Sequence, residues 1–282
     1  MSPRVSVVVP SYQNADFIEA TIESVLAQTF TDLELVVADH GSTDGTWDLL
    51  QRFTDDPRVR LLQTPAGGGA QRNWNAVSQA ATGDLIKLVC GDDVLYPEML
   101  RRQVDALDAA GDGAVLVASR RDIVDADGRP AFRGQGLKSL EGVVDGRRAV
   151  RASVLAGTNV LGEPCCVTMR RDVLEKTGWW GDGVHRYLID QAAYARVLFE
   201  GDLVALHEPM AAFRLSATQW SVELAREQWT QAAEFHAELR ERDPALLSAR
   251  DVRVGDVKAR LRSYQRRAAY LWLGSRMQRS AT

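Results

Sequence analysis

Two alternating periodicities in the first 118 residues limit what this 282-residue chain can fold into. Short, nearly continuous apolar runs begin at Val5, Leu33, Val59, Leu85 and Ala114, and apolar residues at helical spacing separate each run from the next. Continuous apolar runs are typical of strands that are covered on both faces. Strands that alternate with helices are joined by right-handed crossovers. The pattern therefore predicts an α/β fold with a mostly parallel sheet flanked by helices.

The pattern loosens after residue 120. Residues 120–146 contain many charges and glycines and predict loops or a hairpin. Apolar patterning then predicts further elements: a helix over 147–155, a strand over 165–169, a helix over 189–199, a short strand over 203–206, and helices over 220–240 and 251–273. We expect one large domain over residues 1–220 and a helical C-terminal extension over 221–282.

Composition narrows the functional classes. Hydrophobic residues make up 45% and charged residues 26%, which fits a soluble globular chain. The net charge of −4 does not favour a general nucleic-acid binder. No apolar run approaches the roughly 18 residues of a membrane span, and the N-terminal apolar stretch is too short for a signal peptide. We expect a cytoplasmic protein.

The cysteines indicate neither a disulfide framework nor a zinc site. There are three, and two of them, Cys165 and Cys166, are adjacent in what the pattern predicts to be a buried strand. Cys90, the third, ends another predicted strand. An odd count without Cys-His spacing favours buried free thiols in a reducing compartment.

Polar residues follow the first four predicted strands. Tyr12 follows the first strand after Pro10, Asp39 and His40 follow the second, a glycine-rich loop with Arg72 follows the third, and Asp92-Asp93 follow the fourth. Ligands of parallel sheets bind beyond the carboxyl ends of the strands, so these residues are expected at one edge. They suit a sugar nucleotide: a ring to stack on the base, an acceptor for base or ribose, a cation for phosphate and carboxylates for a divalent metal.

Each of these features also has a structural interpretation. Tyr12 alone could be a packed aromatic, residues 41–45 could be a simple turn, and Gly67-Gly68-Gly69 could be a flexible loop, since no Walker pattern follows. The adjacent carboxylates of Asp92 and Asp93 are harder to explain structurally, because they repel each other unless a cation or partner neutralises them.

Residues 5–12, 24–30, 34–46 and 83–93 together resemble the motifs of family 2 glycosyltransferases of GT-A fold, in the same order and spacing. The resemblance covers residues 4–100 strongly and continues weakly to about residue 220. It implies a nucleotide-sugar half over 1–100 and an acceptor half over 101–220. It also implies an inverting transfer of a sugar from a UDP- or dTDP-linked donor to a hydroxyl of a polysaccharide, glycolipid or small molecule, with Mn²⁺ or Mg²⁺ as cofactor.

The resemblance also implies roles for individual residues. Pro10 and Tyr12 would lie against the nucleotide, Asp39 would contact the base, and Arg72 would lie near the base or the phosphates. Asp92 would lie nearer the ribose and Asp93 on the metal.

Asp190, at the start of a predicted helix, stands where the family carries its catalytic base. An acceptor hydroxyl must lose its proton as the diphosphate leaves from the opposite face of the sugar, so the chemistry needs such a base. The structural alternative is an acid stabilised by the helix dipole.

Three positions depart from the family pattern. His40 stands where a second acid is usual, Cys90-Gly91 precede the acidic pair in place of Asp-X, and Ser216 follows Arg214 where many members have His. Ordinary divergence and loss of activity both explain these changes. A sensor or scaffold that binds nucleotide sugar without turnover is therefore an alternative function. A nucleotidyltransferase is another, although the chain lacks a glycine-rich, basic loop after the first strand.

Two further features have open interpretations. Residues 245–282 carry a net charge of +7, which leaves −11 on the rest of the chain, and aromatic residues are interspersed among the basic ones. This segment suits either peripheral contact with an anionic inner membrane surface, close to a lipid-linked acceptor, or packing against the domain or in a homodimer. The pair Trp179-Trp180 suits either sugar stacking or anchoring of a loop.

Overall fold

The computed structural model describes residues 2–181, 184, 186–216 and 227–277. The described residues contain ten strands: β1 (Val5–Ser11), β2 (Leu33–Asp39), β3 (Val59–Gln63), β4 (Leu85–Leu88), β5 (Val94–Leu95), β6 (Ala114–Val124), β7 (Pro130–Gln135), β8 (Gly142–Val144), β9 (Val167–Arg170) and β10 (Asp202–Arg214). They also contain nine α-helices: α1 (Ile18–Leu26), α2 (Thr46–Gln51), α3 (Gly69–Gln79), α4 (Met99–Ala110), α5 (Gly146–Ala156), α6 (Arg171–Lys176), α7 (Ile189–Leu198), α8 (Gln228–Arg242) and α9 (Ala249–Leu273).

One sheet runs through the molecule in the order β3-β2-β1-β4-β9-β6-β10-β5, with β7 paired to β6 and β8 paired to β10. Strands β1 to β4 are parallel to one another where they pair, as the sequence predicts. Every residue of β1 and β4 is buried, which explains why these strands lack polar alternation. The register places Ser11 beside Asp39, so the loops after β1 and β2 leave the same edge of the sheet.

The second half of the sheet is mixed rather than mostly parallel. Strand β9 lies antiparallel to both β4 and β6 and joins the two halves, while β10 runs parallel to β6. The predicted hairpin after residue 120 is present, since β7 returns antiparallel along the extended end of β6. The predicted last strand over 203–206 is too short. Strand β10 continues to Arg214, but register shifts on either side of Pro209 interrupt its apolar pattern.

The C-terminal helices pack on the main body. Buried residues of α8 and α9, among them Phe235 and Ala259, belong to the same core cluster as the sheet. Helix α9 begins with a capping box between Ser248 and Asp251. The predicted boundary at residues 220/221 lies in residues 217–226, outside the described part of the chain, so the helix predicted from residue 220 is described only from Gln228.

The three cysteines are unpaired, as predicted. Cys165 and Cys166 lie in a 3-10 turn, Pro164–Cys166, and not within a strand, because β9 begins only at Val167. Among the described helices, none combines the length and the apolar character that a membrane crossing requires.

Candidate active site

The loops after β1, β2 and β4 are tied together by side chains of the first loop. Asn14 Oδ1 accepts a hydrogen bond from the Tyr12 amide at 2.9 Å, and the Asn14 amide donates to Thr46 Oγ1 at 2.9 Å. A β-carbon at Gly91 would lie 2.6 Å from Asn14 Oδ1, so only glycine lets the β4 loop approach this closely. The three predicted loops therefore meet at one edge of the sheet.

Tyr12 offers an open aromatic surface at this edge. Its side chain is 56% exposed, and its ring meets the ring of His40 edge-on with centroids 6.2 Å apart. Pro10 is buried in the strand beneath it. A Tyr ring held at its edge by a neighbour keeps its faces available for stacking.

Asp39 is buried and engaged within its own loop. Ser42 donates to it twice, from the backbone amide to Oδ2 at 3.1 Å and from Oγ to Oδ1 at 2.5 Å. The carboxylate thereby fixes the turn after β2. Its remaining lone pairs could accept hydrogen bonds from a nucleoside.

His40 is engaged through both ring nitrogens. Nδ1 lies 2.8 Å from Thr64 Oγ1, and Nε2 lies 2.8 Å from the carbonyl oxygen of Gly67. Because a carbonyl only accepts hydrogen bonds, Nε2 carries a proton and donates it. His40 thus anchors the glycine-rich loop to the end of the sheet, a role that the sequence did not predict.

Arg72 lies in the first turn of α3, and its side chain is exposed. The preceding Gly68 has a φ of +82°, and a β-carbon there would lie 2.7 Å from Arg72 Cδ. Glycine is needed at this position for both reasons, and it lets the arginine fold back along the loop.

The two carboxylates after β4 differ in their surroundings. Asp93 is fully buried, and its Oδ1 accepts a hydrogen bond from the Arg214 amide at 3.1 Å. Its Oδ2 has no hydrogen-bond partner among the described residues. Burial and the neighbouring charge of Asp92 raise the pKa of Asp93 well above its usual range. Asp92 is also buried but keeps 8% exposure, so it is the more accessible member of the pair.

Arg214, at the end of β10, supports the acidic loop from behind. Its Nε donates to the Asp92 carbonyl at 2.9 Å, and its guanidinium lies 4.9 Å from the centre of the Phe17 ring. The same guanidinium donates to the carbonyls of Asp125 and Ala126. These bonds fix the backbone of the acidic loop.

Asp190 lies in the first turn of α7, as predicted, and is held by two donors. The Gln191 amide donates to Oδ1 at 2.7 Å, and Asn159 Nδ2 donates to Oδ2 at 2.9 Å. Asn159 is itself oriented, because its Nδ2 also donates to the Gly162 carbonyl and its Oδ1 accepts from the Leu161 amide. Burial and the charge of Glu163 raise the pKa of Asp190 to about 6, although both donors oppose this.

Carboxylates from three separate segments act electrostatically on the thiol of Cys90. Burial raises the pKa of Cys90 well above its usual range, and the charges of Asp93, Asp92, Asp190 and Glu163 add to that effect. Glu163 is paired with Arg121, which is almost fully buried. The predicted acidic loop and the predicted base are thus both near enough to act on Cys90, and we call Asp92, Asp93 and Asp190 together the acidic cleft.

The acidic cleft could hold a divalent cation only with help from a ligand. Within the described part of the chain, no three His, Cys, Asp or Glu side chains are arranged to bind a metal. The unpartnered Oδ2 of Asp93 and the neighbouring carboxylate of Asp92 are hard oxygen donors of the kind that Mg²⁺ and Mn²⁺ prefer. The residues present therefore fit a cation that takes its other ligands from phosphate oxygens.

The Trp179-Trp180 pair anchors a loop. Trp180 is buried, donates from Nε1 to Ser78 Oγ at 2.7 Å, and meets the Trp74 ring edge-on with centroids 5.2 Å apart. Its ring is therefore not available for stacking on a sugar.

Sequence reasoning missed the supporting roles of Asn14, Asn159 and Arg214. The close approach of Asn14 to Gly91 could have been suspected from the sequence, because a glycine directly before an acidic pair indicates a crowded backbone. The role of Asn159 could not, because its partner lies 31 residues away in the sequence.

Solved glycosyltransferase structures share this architecture. The chain superposes on S. aureus TarS 1-349 in complex with UDP-GlcNAc with a TM-score of 0.70, at 16% identity, over 97% of this chain and 76% of that one. It superposes on the mannosyltransferase PcManGT from Pyrobaculum calidifontis, in complex with GDP-Man and Mn²⁺, with a TM-score of 0.64 at 19% identity, over 98% of this chain and 77% of that one. These similarities confirm the predicted GT-A fold.

Sequence relatives point the same way. The chain is 31% identical over 231 residues to an uncharacterized glycosyltransferase of Nostoc sp., covering 75% of this chain and 65% of the relative. It is 40% identical over 127 residues to the succinoglycan biosynthesis protein ExoO of Rhizobium meliloti, covering 45% of this chain and 36% of the relative. This chain thus spans less than two thirds of the length of either relative. The model of glycosyl transferase family 2 matches residues 6–178, and the chain belongs to that family.

Proposed function

We propose that this protein is an inverting glycosyltransferase that moves a sugar from a nucleoside-diphosphate donor to a hydroxyl acceptor. The observation that carries the proposal is the acidic cleft. There Asp190, with a pKa of about 6, lies in the same buried cluster as the Asp92-Asp93 pair. A carboxylate with a raised pKa is suited to take a proton near neutral pH.

The loops after β1, β2 and β3 would bind the nucleotide. Tyr12 would stack on the base, Pro10 would form the floor beneath it, and Asp39 would accept from the nucleoside with its remaining lone pairs. Arg72 would pair with the diphosphate, since an exposed guanidinium at the start of α3 can donate to phosphate oxygens. The solved complex of TarS with UDP-GlcNAc favours UDP or dTDP as the nucleotide, as does the resemblance.

We propose that Asp92 binds the cation. The family resemblance implied Asp93 for that role. Asp93 has no exposed surface and its carboxylate accepts a backbone hydrogen bond, whereas Asp92 keeps 8% exposure. Asp93 would then position the loop, and a cation bound nearby would favour its ionised form. A bound Mn²⁺ or Mg²⁺ would stabilise the charge that develops on the leaving diphosphate. The Mn²⁺ in the PcManGT complex supports a divalent ion in this fold.

Asp190 would act as the general base. Its carboxylate would accept the proton of the acceptor hydroxyl as that oxygen bonds to C1 of the sugar. The bond from C1 to the diphosphate oxygen breaks on the opposite face, which inverts the configuration at C1. Asn159 and the Gln191 amide each occupy one carboxylate oxygen, so the carboxylate is held in one orientation and retains lone pairs for the proton.

We propose a saccharide as the acceptor class. Relatives with curated names include succinoglycan biosynthesis protein ExoO and a chondroitin synthase of Pasteurella multocida, which is 37% identical over 97 residues. Both names refer to polysaccharides.

The experiment that tests this function measures donor binding and turnover in the same preparation. A thermal-shift panel of UDP-, dTDP- and GDP-sugars with Mn²⁺ should show stabilisation by a single nucleotide class, because ligand binding to the folded state raises its stability. Release of nucleoside diphosphate from that donor, with water or added saccharides as acceptor, should then be measurable. Stabilisation without release would favour a sensor or scaffold. Consumption of a nucleoside triphosphate with release of pyrophosphate would favour a nucleotidyltransferase.

A further inference from the structure

The outward face of α9 is apolar along its length. Val257, Leu261, Tyr264, Leu271 and Trp272 are all exposed, with Leu271 at 85% and Trp272 at 70%. Val257, Leu261, Tyr264 and Leu271 are spaced by four, three and seven residues, and Trp272 is eleven residues after Leu261. This places all five on one side of the helix, in a stripe about 22 Å long at 1.5 Å per residue. Exposed aliphatic and aromatic residues aligned in this way mark a contact surface.

The opposite side of α9 is fixed to the protein. Gly255, Ala259 and Ser263 are buried, and a β-carbon at Gly255 would lie 2.6 Å from the carbonyl oxygen of Val154 in α5. The stripe therefore faces outward because the inner face of the helix packs against the protein, and its side chains are exposed.

The charge on the outward face is of one sign. Arg250, Arg253 and Arg260 lie near the stripe on α9 and are exposed. The two acidic residues of the segment, Asp251 and Asp256, pair with Arg151 of α5 and His236 of α8. The exposed side of the helix thus presents arginines and apolar residues without a compensating carboxylate.

The combination of exposed apolar residues and arginines on α9 favours one class of binding partner over the others. A second copy of the same face would bring like charges together, which disfavours a homodimer through α9. A nucleic acid would use the arginines but not a continuous aliphatic stripe. An anionic bilayer surface accepts both, since Leu and Trp enter the boundary between head groups and acyl chains while arginines contact lipid phosphates.

The C-terminal end of α9 is connected to the acidic cleft. Leu273 packs with Leu215, and Arg276 pairs with Asp125 at 2.7 Å. The Arg214 guanidinium donates to the carbonyl oxygens of Asp125 and Asp92, and the Arg214 backbone amide donates to the Asp93 carboxylate. The exposed Leu271 and Trp272 therefore lie close in sequence to residues that contact the support of the acidic loop.

We propose that α9 docks this protein onto anionic lipid bilayers through the stripe Val257–Trp272, with the helix lying in the plane of the membrane surface. Docking would bring the edge of the sheet that carries the acidic cleft toward the bilayer. The proposal concerns lipid binding and does not depend on the assignment of the catalytic residues.

Vesicle co-sedimentation of the full chain tests the proposal. The wild-type protein should sediment with vesicles of phosphatidylcholine containing one quarter phosphatidylglycerol at low salt. It should sediment far less with phosphatidylcholine alone, or at high salt, because screening weakens contacts between arginines and anionic lipids.

Two double variants separate the apolar and the charged contributions. Leu271→Ser with Trp272→Ser, and Arg250→Gln with Arg253→Gln, should each lower the partition coefficient roughly tenfold. The matched control, Phe132→Ser with Val143→Ser, replaces exposed apolar residues of β7 and β8 and should leave partition unchanged. Circular dichroism and thermal unfolding should show that all variants are folded.

Three results would overturn the proposal. The wild-type protein could fail to sediment with anionic vesicles at low salt. The control variant could lose partition as much as the stripe variant. Light scattering could show a dimer that Leu271→Ser with Trp272→Ser dissociates, which would assign the stripe to a second copy.

Discussion

The loops after β1, β2 and β3, which we propose for the nucleotide, form the nucleotide side of the site. The acidic cleft, which we propose for sugar transfer, forms the transfer side. The two sides differ in how completely their polar groups are paired. On the nucleotide side, both oxygens of Asp39 accept from Ser42, and both ring nitrogens of His40 have partners. On the transfer side, both oxygens of Asp190 also accept hydrogen bonds, but Asp93 Oδ2 has no hydrogen-bond partner among the described residues. Buried polar groups are normally satisfied, so the unpaired Asp93 Oδ2 indicates where a ligand is required.

This difference suggests a division of labour. The nucleotide side is organised before any ligand arrives, because its loops are held by the protein's own hydrogen bonds. The transfer side carries a concentration of negative charge that a cation and an acceptor hydroxyl would relieve. The nucleotide side should therefore respond to substitution mainly through donor affinity, and the transfer side mainly through turnover.

The largest expected effect is at Asp190. Asp190→Asn keeps the size of the side chain but removes the ability to accept a proton, so kcat for nucleoside-diphosphate release should fall by roughly 10²–10⁴. The donor Kd, measured by calorimetry, should change little. Asp172→Asn, an exposed acid in the first turn of α6, is the matched control and should retain full turnover. Unchanged kcat in Asp190→Asn would remove this residue from the mechanism.

A smaller effect is expected at Asn159, which we place as a positioning residue for Asp190. The wild-type kcat should fall as the pH drops below about 6, because the base must be ionised to accept a proton. Asn159→Ala removes a hydrogen bond that lowers the pKa of Asp190, so the acid limb of the kcat profile should move to higher pH. Activity should be reduced most at pH 6 and largely recovered at higher pH.

The control for Asn159 is Asn75→Ala. Asn75 contacts Trp180 and Gly181, so its loss should not shift the profile. An Asn159→Ala enzyme with a uniformly lower kcat and an unshifted acid limb would assign Asn159 a purely structural role.

The smallest effect on turnover is expected at His40, on the nucleotide side. His40→Ala removes the partner of the Gly67 carbonyl and one of the partners of Thr64 Oγ1, which should cost about 1–3 kcal/mol of unfolding free energy. The glycine-rich loop would lose its anchor, so KM for the donor should rise more than kcat falls. His207→Ala removes a ring that bonds to the Leu140 carbonyl instead and should leave the donor KM unchanged. A fall in kcat at constant KM would contradict the division between the two sides.

The sequence could place the residues that follow strands β1 to β4 at one edge of the sheet for a physical reason. The parallel order of those strands brings their ends together. The roles of His40 and Asn159 were not predictable, because each depends on a carbonyl or carboxylate that only the tertiary fold brings close.

The two sides also differ in how regular their strands are. The register shifts around Pro209 hide the length of β10, so nothing in the sequence indicated that Arg214 would support the acidic loop. Asp190 was identified through the family resemblance. The Asp190→Asn variant decides between a catalytic base and a helix-terminal acid stabilised by the dipole.

The most direct test of the account is a calorimetric titration with the nucleoside diphosphate of the preferred donor, carried out with Mn²⁺ and with a chelator. For the wild-type protein we predict at least roughly tenfold tighter binding with Mn²⁺, because the cation offsets repulsion between the diphosphate and the acidic cleft. Asp92→Asn should lose this dependence while remaining folded. Equal affinity with and without Mn²⁺ in the wild-type protein would contradict the claim that the acidic cleft binds a diphosphate through a cation.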